Sequence, residues 1–326
     1  MCTAVTYQKT HFYFGRTLDY DISYGEEVVI TPRNFPLPLR HGKSLDSHYA
    51  IIGMAKVAEN FPLYFDAVNE KGLAMAGLNF PGNAHYSPAM EDGKDIASFE
   101  LIPYILGSCA SVAEAKTALS HLRITNDAFL RTLPPSPLHW IIADRTGCIT
   151  VESTKAGLHV YPNPIGVLTN NPPFPQQLER LNDYLHVSPE EPKNLFSPEL
   201  DLIPYSRGMG AMGLPGDLSS QSRFVRAAFT KLNSICDDTE QACISQFFHI
   251  MDTVFQTRGC CRLGDDRLEI TRYCSCCSCD QGIYYYTTYE NRGITAVYLF
   301  DEDLDSSTLI SYPLNQTLAI SHQEKR

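Results

Sequence analysis

The chain has 326 residues, 44% of them hydrophobic and 19% charged, and a formal net charge of −11. That length and balance support a large folded core, and the acidic surplus argues against nucleic acid or an anionic membrane surface as main partner. No basic segment followed by an apolar run opens the chain, and no window reaches the roughly 18 apolar residues of a membrane span. The sequence therefore reads as soluble and cytoplasmic, a single domain over residues 1–326.

In chain order, "CTAVTY" and "HFYFGRTLD" flank the polar break "QKT" and predict a first hairpin. "YFDAV" and "LAMAGLNF" flank "NEKG" and predict a second. "SVAEAKTALSHL" predicts a helix whose Ser111 and Glu114 have capping-box spacing. "LHWIIAD", "CITVEST" and "LHVYP" predict a meander, since connections this short allow only antiparallel pairing. "NNPPFP" and "SPEEPKNLFSPE" predict surface loops. "PQQLERLNDYL", "QSRFVRAAFTKL" and "TEQACISQFFHIMDTVF" space their apolar residues as helices do. "GIYYYTTYE" and "ITAVYLF" flank "NRG" in a last hairpin. Two groups of antiparallel strands with separate helices point to a layered α+β sandwich.

Two conspicuous motifs lose their first reading on inspection. "GMGAMG" matches a dinucleotide-binding fingerprint through Gly208, Gly210 and Gly213, but Leu214, Pro215 and Gly216 interrupt the helix that motif requires. A flexible loop fits better. The chain has 11 cysteines, an odd number that favours reduced thiols over a disulfide framework. Four of them crowd into "YCSCCSCDQG". On a strand, Cys274 and Cys276 would face one way and Cys277 and Cys279 the other, which converges poorly on one metal ion.

Cys2 is the more chemical thiol. A small second residue permits removal of Met1, and the product carries both a thiol and a free α-amine. An α-amine titrates near pH about 8, so an N-terminal nucleophile can supply its own general base. The opening "MCTAVTY…FGRTLDYD", then "PRNF", "NEKGLAMAGLNFPG", "PLHWIIAD", "GVLTNNP", "MGLPGDLSSQSRFVRAAF" and "GIYYYTTYEN", together resemble the choloylglycine hydrolase family over nearly the whole chain. That family contains bile salt hydrolases and penicillin V acylases.

The resemblance implies an N-terminal nucleophile amidohydrolase with a four-layer αββα fold. It implies Cys2 as nucleophile, Arg16 favouring the thiolate, Asp19 binding the α-amine, Asn79 and Asn170 as oxyanion donors, and Arg223 completing the polar network. The residues alone leave other readings open. Arg16 and Asp19, three apart, face opposite ways on a straight strand and also fit a surface ion pair. Asn79 and Asn170 also fit turns, and Asn171 stands beside Asn170. Arg223 puts a cation into a first helical turn, which the helix dipole disfavours and which calls for an anionic partner.

The resemblance further implies no metal and no cofactor, a homotetramer, and a gut-bacterial source. Asn79 leans toward the bile salt form, with glycine- or taurine-conjugated bile salts as substrates, and penicillin V acylase or a related N-acyl amidase or lactone acylase of the same fold remains the alternative. Leu18, Tyr64, Phe65 and Phe129 are the candidate steroid groove, although for any one of them simple core packing is the more common reading. Ser206 and Arg207 in "YSRGMG" resemble a loop associated with glycine conjugates.

Overall fold

The computed structural model describes residues 1–42, 44–90 and 92–324. Its strands are β1 (Cys2–Gln8), β2 (Phe12–Tyr20), β3 (Glu27–Thr31), β4 (Ile51–Ala58), β5 (Phe61–Asn69), β6 (Ala74–Asn79), β7 (Asp95–Ala97), β8 (Arg123–Thr125), β9 (Leu138–Asp144), β10 (Gly147–Thr154), β11 (Gly157–Pro162), β12 (Val167–Leu168), β13 (Ile270–Ser278), β14 (Ile283–Thr288), β15 (Thr295–Tyr298) and β16 (Ile310–Pro313). The helices are α1 (Leu101–Ser108), α2 (Val112–Leu119), α3 (Phe174–Arg180), α4 (Ser220–Asn233) and α5 (Glu240–Asp252).

Two antiparallel sheets carry the fold. One has the order β12-β1-β2-β13-β14-β15, the other β11-β10-β9-β6-β5-β4-β3-β16, and a short parallel pair joins β7 to β8. All five expected hairpin and meander pairings form. Helices α1 and α2 lie on the eight-stranded sheet, and α4 and α5 on the six-stranded one. This is the expected αββα sandwich.

Strand alternation builds the layers. Ala74, Ala76 and Leu78 of β6 enter the cluster between the sheets, while Met75 turns outward to pack with Leu101, Ile105 and Ala115 of α1 and α2. Because both faces are covered, the strands read as nearly continuous apolar runs.

Three expectations change in detail. Helix α1 was not foreseen: "LIPYILGS" is apolar on every side, so it shows no helical stripe. In α2 the Ser111 side chain accepts from Glu114 N as expected, but the Glu114 carboxylate reaches back one residue further, to Ala110 N. The segment "NNPPFP" is not a surface loop, because Asn170 and Phe174 are buried and Phe174 opens α3. "SPEEPKNLFSPE" is exposed over most of its length and lacks strand or helix, and "GMGAMG" is a loop with one turn of 3-10 helix.

The cysteine-rich segment is the strand β13, paired between β2 and β14. Cys274 and Cys276 lie near Asp252, Glu240 and Cys243 of α5, and burial pushes the thiols of Cys274, Cys276 and Cys277 well up from their ordinary value. Such thiols are packing residues rather than nucleophiles.

Candidate active site

Cys2 opens β1 and pairs with Leu18 on β2, while Ala4 pairs with Arg16. The two-residue period therefore puts Cys2, Arg16 and Leu18 on the face toward the eight-stranded sheet. Thr3, Thr17 and Asp19 take the opposite face, toward α4. Arg16 and Asp19 do face opposite ways, and both are buried rather than forming a surface pair. Cys2 lies on the adjacent strand β1, opposite Leu18.

On the inner face, β5 and β6 pair only over Asp66–Val68 and Ala74–Ala76 and then part. Arg16 fills the gap. Its NH1 donates to Phe65 O at 3.1 Å and Gly77 O at 2.6 Å, and its Nε to Thr17 O at 3.1 Å. NH2 is buried with no partner among the described residues. Burial works against the guanidinium charge, but Cys2, Tyr273, Asp66 and Asp19 together raise the Arg16 pKa.

On the outer face, Arg223 of α4 donates through NH1 to Cys2 O at 2.5 Å and Thr3 Oγ1 at 2.6 Å, and through NH2 to Asn170 Oδ1 at 2.7 Å. Asp19 Oδ2 lies 3.9 Å away, both side chains being fully buried. This is the anionic partner the helix position calls for. Burial pushes the Arg223 pKa down, and Asp19 and Cys2 work against that shift. Asp19 also accepts from Thr271 Oγ1 at 2.7 Å and Thr17 Oγ1 at 3.1 Å. A bulge between Thr271 and Tyr273 makes this possible. It lets Thr271 turn to Asp19 while Tyr273 turns to Asp66 between the sheets.

Met1 is in place and extends the ladder by one residue. Asp19 N donates to Met1 O at 2.9 Å, and the Met1 amine meets Glu269 Oε1 at 3.0 Å. Cys2 N donates to Asn170 Oδ1 at 2.9 Å. Loss of Met1 would turn that nitrogen into an α-amine already aimed at Asn170.

Asn170 is engaged at both ends of its amide. Its Oδ1 serves Cys2 N and Arg223, and its Nδ2 donates to Asn79 O at 2.7 Å, leaving one hydrogen for an oxyanion. Asn171 is a neighbour in sequence only, accepting from Asn83 Nδ2 and donating to Pro81 O. Gln177, Ser220, Gln256 and Thr271 also hold these groups and went unread in the sequence, where isolated polar residues carry no signal.

A cavity of about 230 Å³ opens at Cys2. Arg16, Leu18, Tyr64, Phe65, Asn79 and Phe129 all line it, so the four groove candidates converge on it. Tyr64 is also core, its hydroxyl 2.7 Å from Thr31 Oγ1. Ser206 and Arg207 are not among the lining residues. They are exposed, and the Ser206 hydroxyl donates to Arg207 O.

A thiol at the head of an inner-sheet strand, an αββα sandwich around it and a cavity beside it define an N-terminal nucleophile hydrolase fold. The comparisons make this specific. The linear amide C–N hydrolases of the choloylglycine hydrolase family match residues 2–312. The chain is 55% identical over 314 residues to the bile salt hydrolase/transferase of Lactiplantibacillus plantarum, covering 96% of this chain and 97% of that one. It is 37% identical to the enzyme of the same name from Clostridium perfringens, covering 99% of each. A solved structure of a variant conjugated bile acid hydrolase from Clostridium perfringens matches with TM-score 0.92 at 35% identity, over 99% of this chain and 100% of that one. Penicillin V acylase from Agrobacterium tumefaciens shares the fold, with TM-score 0.76 at 19% identity over 96% of this chain and 92% of that one. The chain belongs to the choloylglycine hydrolase family and is an amidohydrolase.

Proposed function

We propose that the chain cleaves the amide between a steroid acid and glycine or taurine, with Cys2 as nucleophile once Met1 is gone. The observation that carries this is the apolar cavity opening directly at Cys2, in a chain 55% identical to a bile salt hydrolase/transferase. A rigid hydrocarbon suits such a lining, and the amide carbonyl then lies at the thiol.

The Cys2 thiolate, favoured by Arg16, attacks the carbonyl carbon. The Asn79 side chain and the remaining Asn170 hydrogen donate to the developing oxyanion, each such donor typically contributing about 3 kcal/mol to the barrier. The Cys2 α-ammonium, held by Asn170 Oδ1 with Asp19 close by, protonates the leaving amine as the C–N bond breaks. The same amine then takes a proton from water, whose oxygen attacks the thioester and releases the acid and the thiolate. Protein groups and water supply every step.

Ser206 and Arg207 lean the preference toward glycine through family resemblance alone. A homotetramer in the cytoplasm of a gut bacterium completes the proposal. The apolar side chains left exposed at Leu195, Phe196, Ile203 and Tyr205 support self-association. Hydrolysis of glycocholate, taurocholate and penicillin V in parallel tests the reading. Turnover of both conjugates is expected, and cleavage of penicillin V alone would overturn it. Sedimentation of the same preparation as a 36.5 kDa monomer would overturn the tetramer.

A further inference from the structure

One buried pair outside the reacting groups touches every segment that carries the site's asparagines. His139 on β9 and Glu152 on β10 are both fully buried, with Nδ1 and Oε1 3.1 Å apart. His139 Nε2 lies 2.9 Å from Thr169 O, the residue before Asn170. Glu152 Oε1 also accepts from Phe174 N at 2.9 Å, just after the Asn170–Pro173 segment. The pair thus ties both ends of that segment. The His139 ring stacks flat on Phe80, the residue after Asn79, with centroids 4.2 Å apart and planes 5° from parallel.

We propose that His139 and Glu152 are positioning residues that set Asn79 and Asn170 against Cys2. Thr169 O only accepts, so Nε2 carries a hydrogen. Nδ1 and Oε1 share another, as an imidazolium–carboxylate pair or its neutral tautomer, and either form keeps both contacts. Glu152 Oε2 is buried with no partner among the described residues. A buried acid with an unpaired oxygen gives little net stability, which leaves geometry as its contribution. Neither residue lines the cavity, so substrate affinity does not depend on them directly. Displacing a reacting group by about 1 Å costs on the order of 100-fold in rate.

The inference rests on the amidase reading of Cys2, and its test has a readout that does not. Glu152→Gln is nearly isosteric. Beside a neutral imidazole, its amide can serve His139 Nδ1 or Phe174 N–H but not both. His139→Phe keeps the stack on Phe80 and loses both polar contacts. Expected for Glu152→Gln is a fall in kcat of about tenfold or more with KM unchanged. Hydrogen exchange should rise at Asn170 and Phe174 while α5 keeps its protection. His139→Phe should show the same with a larger kcat loss, and if it fails to fold, Glu152→Gln decides.

A wild-type chain inert toward glycocholate would overturn the substrate reading alone. The kinetic comparison is then made on penicillin V, and the exchange measurement stands regardless. A kcat within twofold of wild type with exchange unchanged, a rise in KM alone, or exchange raised throughout the chain would each overturn the positioning role.

Discussion

Strand pairing divides the polar groups around Cys2 between two faces. Arg16 stands on the sulfur's side of β2, while Asp19 and Arg223 gather on the side of the main-chain nitrogen and carbonyl. The three-residue spacing of Arg16 and Asp19 already placed those two on opposite faces. That this division serves one residue could not be read from it, because β1 must first pair in the register Cys2↔Leu18. Nor does sequence tell which end of the Asn170 amide is engaged. The Arg16 charge is open to direct test. Arg16→Met should slow alkylation of Cys2 at neutral pH by about tenfold or more, read by mass spectrometry of the N-terminal peptide. An unchanged rate would remove Arg16 from thiolate stabilisation.

The hairpin β1–β2 carries Cys2, Arg16, Leu18 and Asp19, and β13 closes its open side. Hairpins are local, and their turn residues announce them. The pairing of β2 with β13 joins residues about 250 positions apart and leaves no local trace. The close approach is visible at Gly15, where a Cβ would meet Ser275 O at 2.0 Å and its carbonyl carbon at 2.6 Å. Nothing there can yield except the strands themselves. Overpacking of a core typically costs about 1–3 kcal/mol, and Gly15→Ala should fall at or above that range, lowering the urea midpoint accordingly. A variant with the wild-type midpoint would show that β2 and β13 can part without loss. Helix α1 was hidden for a different reason: eight residues without a polar face resemble a buried strand.

At the scale of the whole molecule, the two sheets meet face to face, and the site forms where β5 and β6 part beneath the start of β1. A layered α+β sandwich was legible from the groups of strands and separate helices, whereas the four-layer αββα order and the candidate site residues came only through long ordered blocks that resemble one family. The buried His139–Glu152 pair was not, since neither residue is unusual until Thr169, Phe174 and Phe80 come to it. The central claim is that the Cys2 nitrogen, amide in the chain with Met1 and amine without it, is the base of the reaction. The most direct measurement compares glycocholate hydrolysis by the chain lacking Met1, its mass verified, with that by a folded chain carrying extra N-terminal residues that cannot be removed. The account predicts turnover by the first and none by the second. Equal turnover by the extended chain would contradict it.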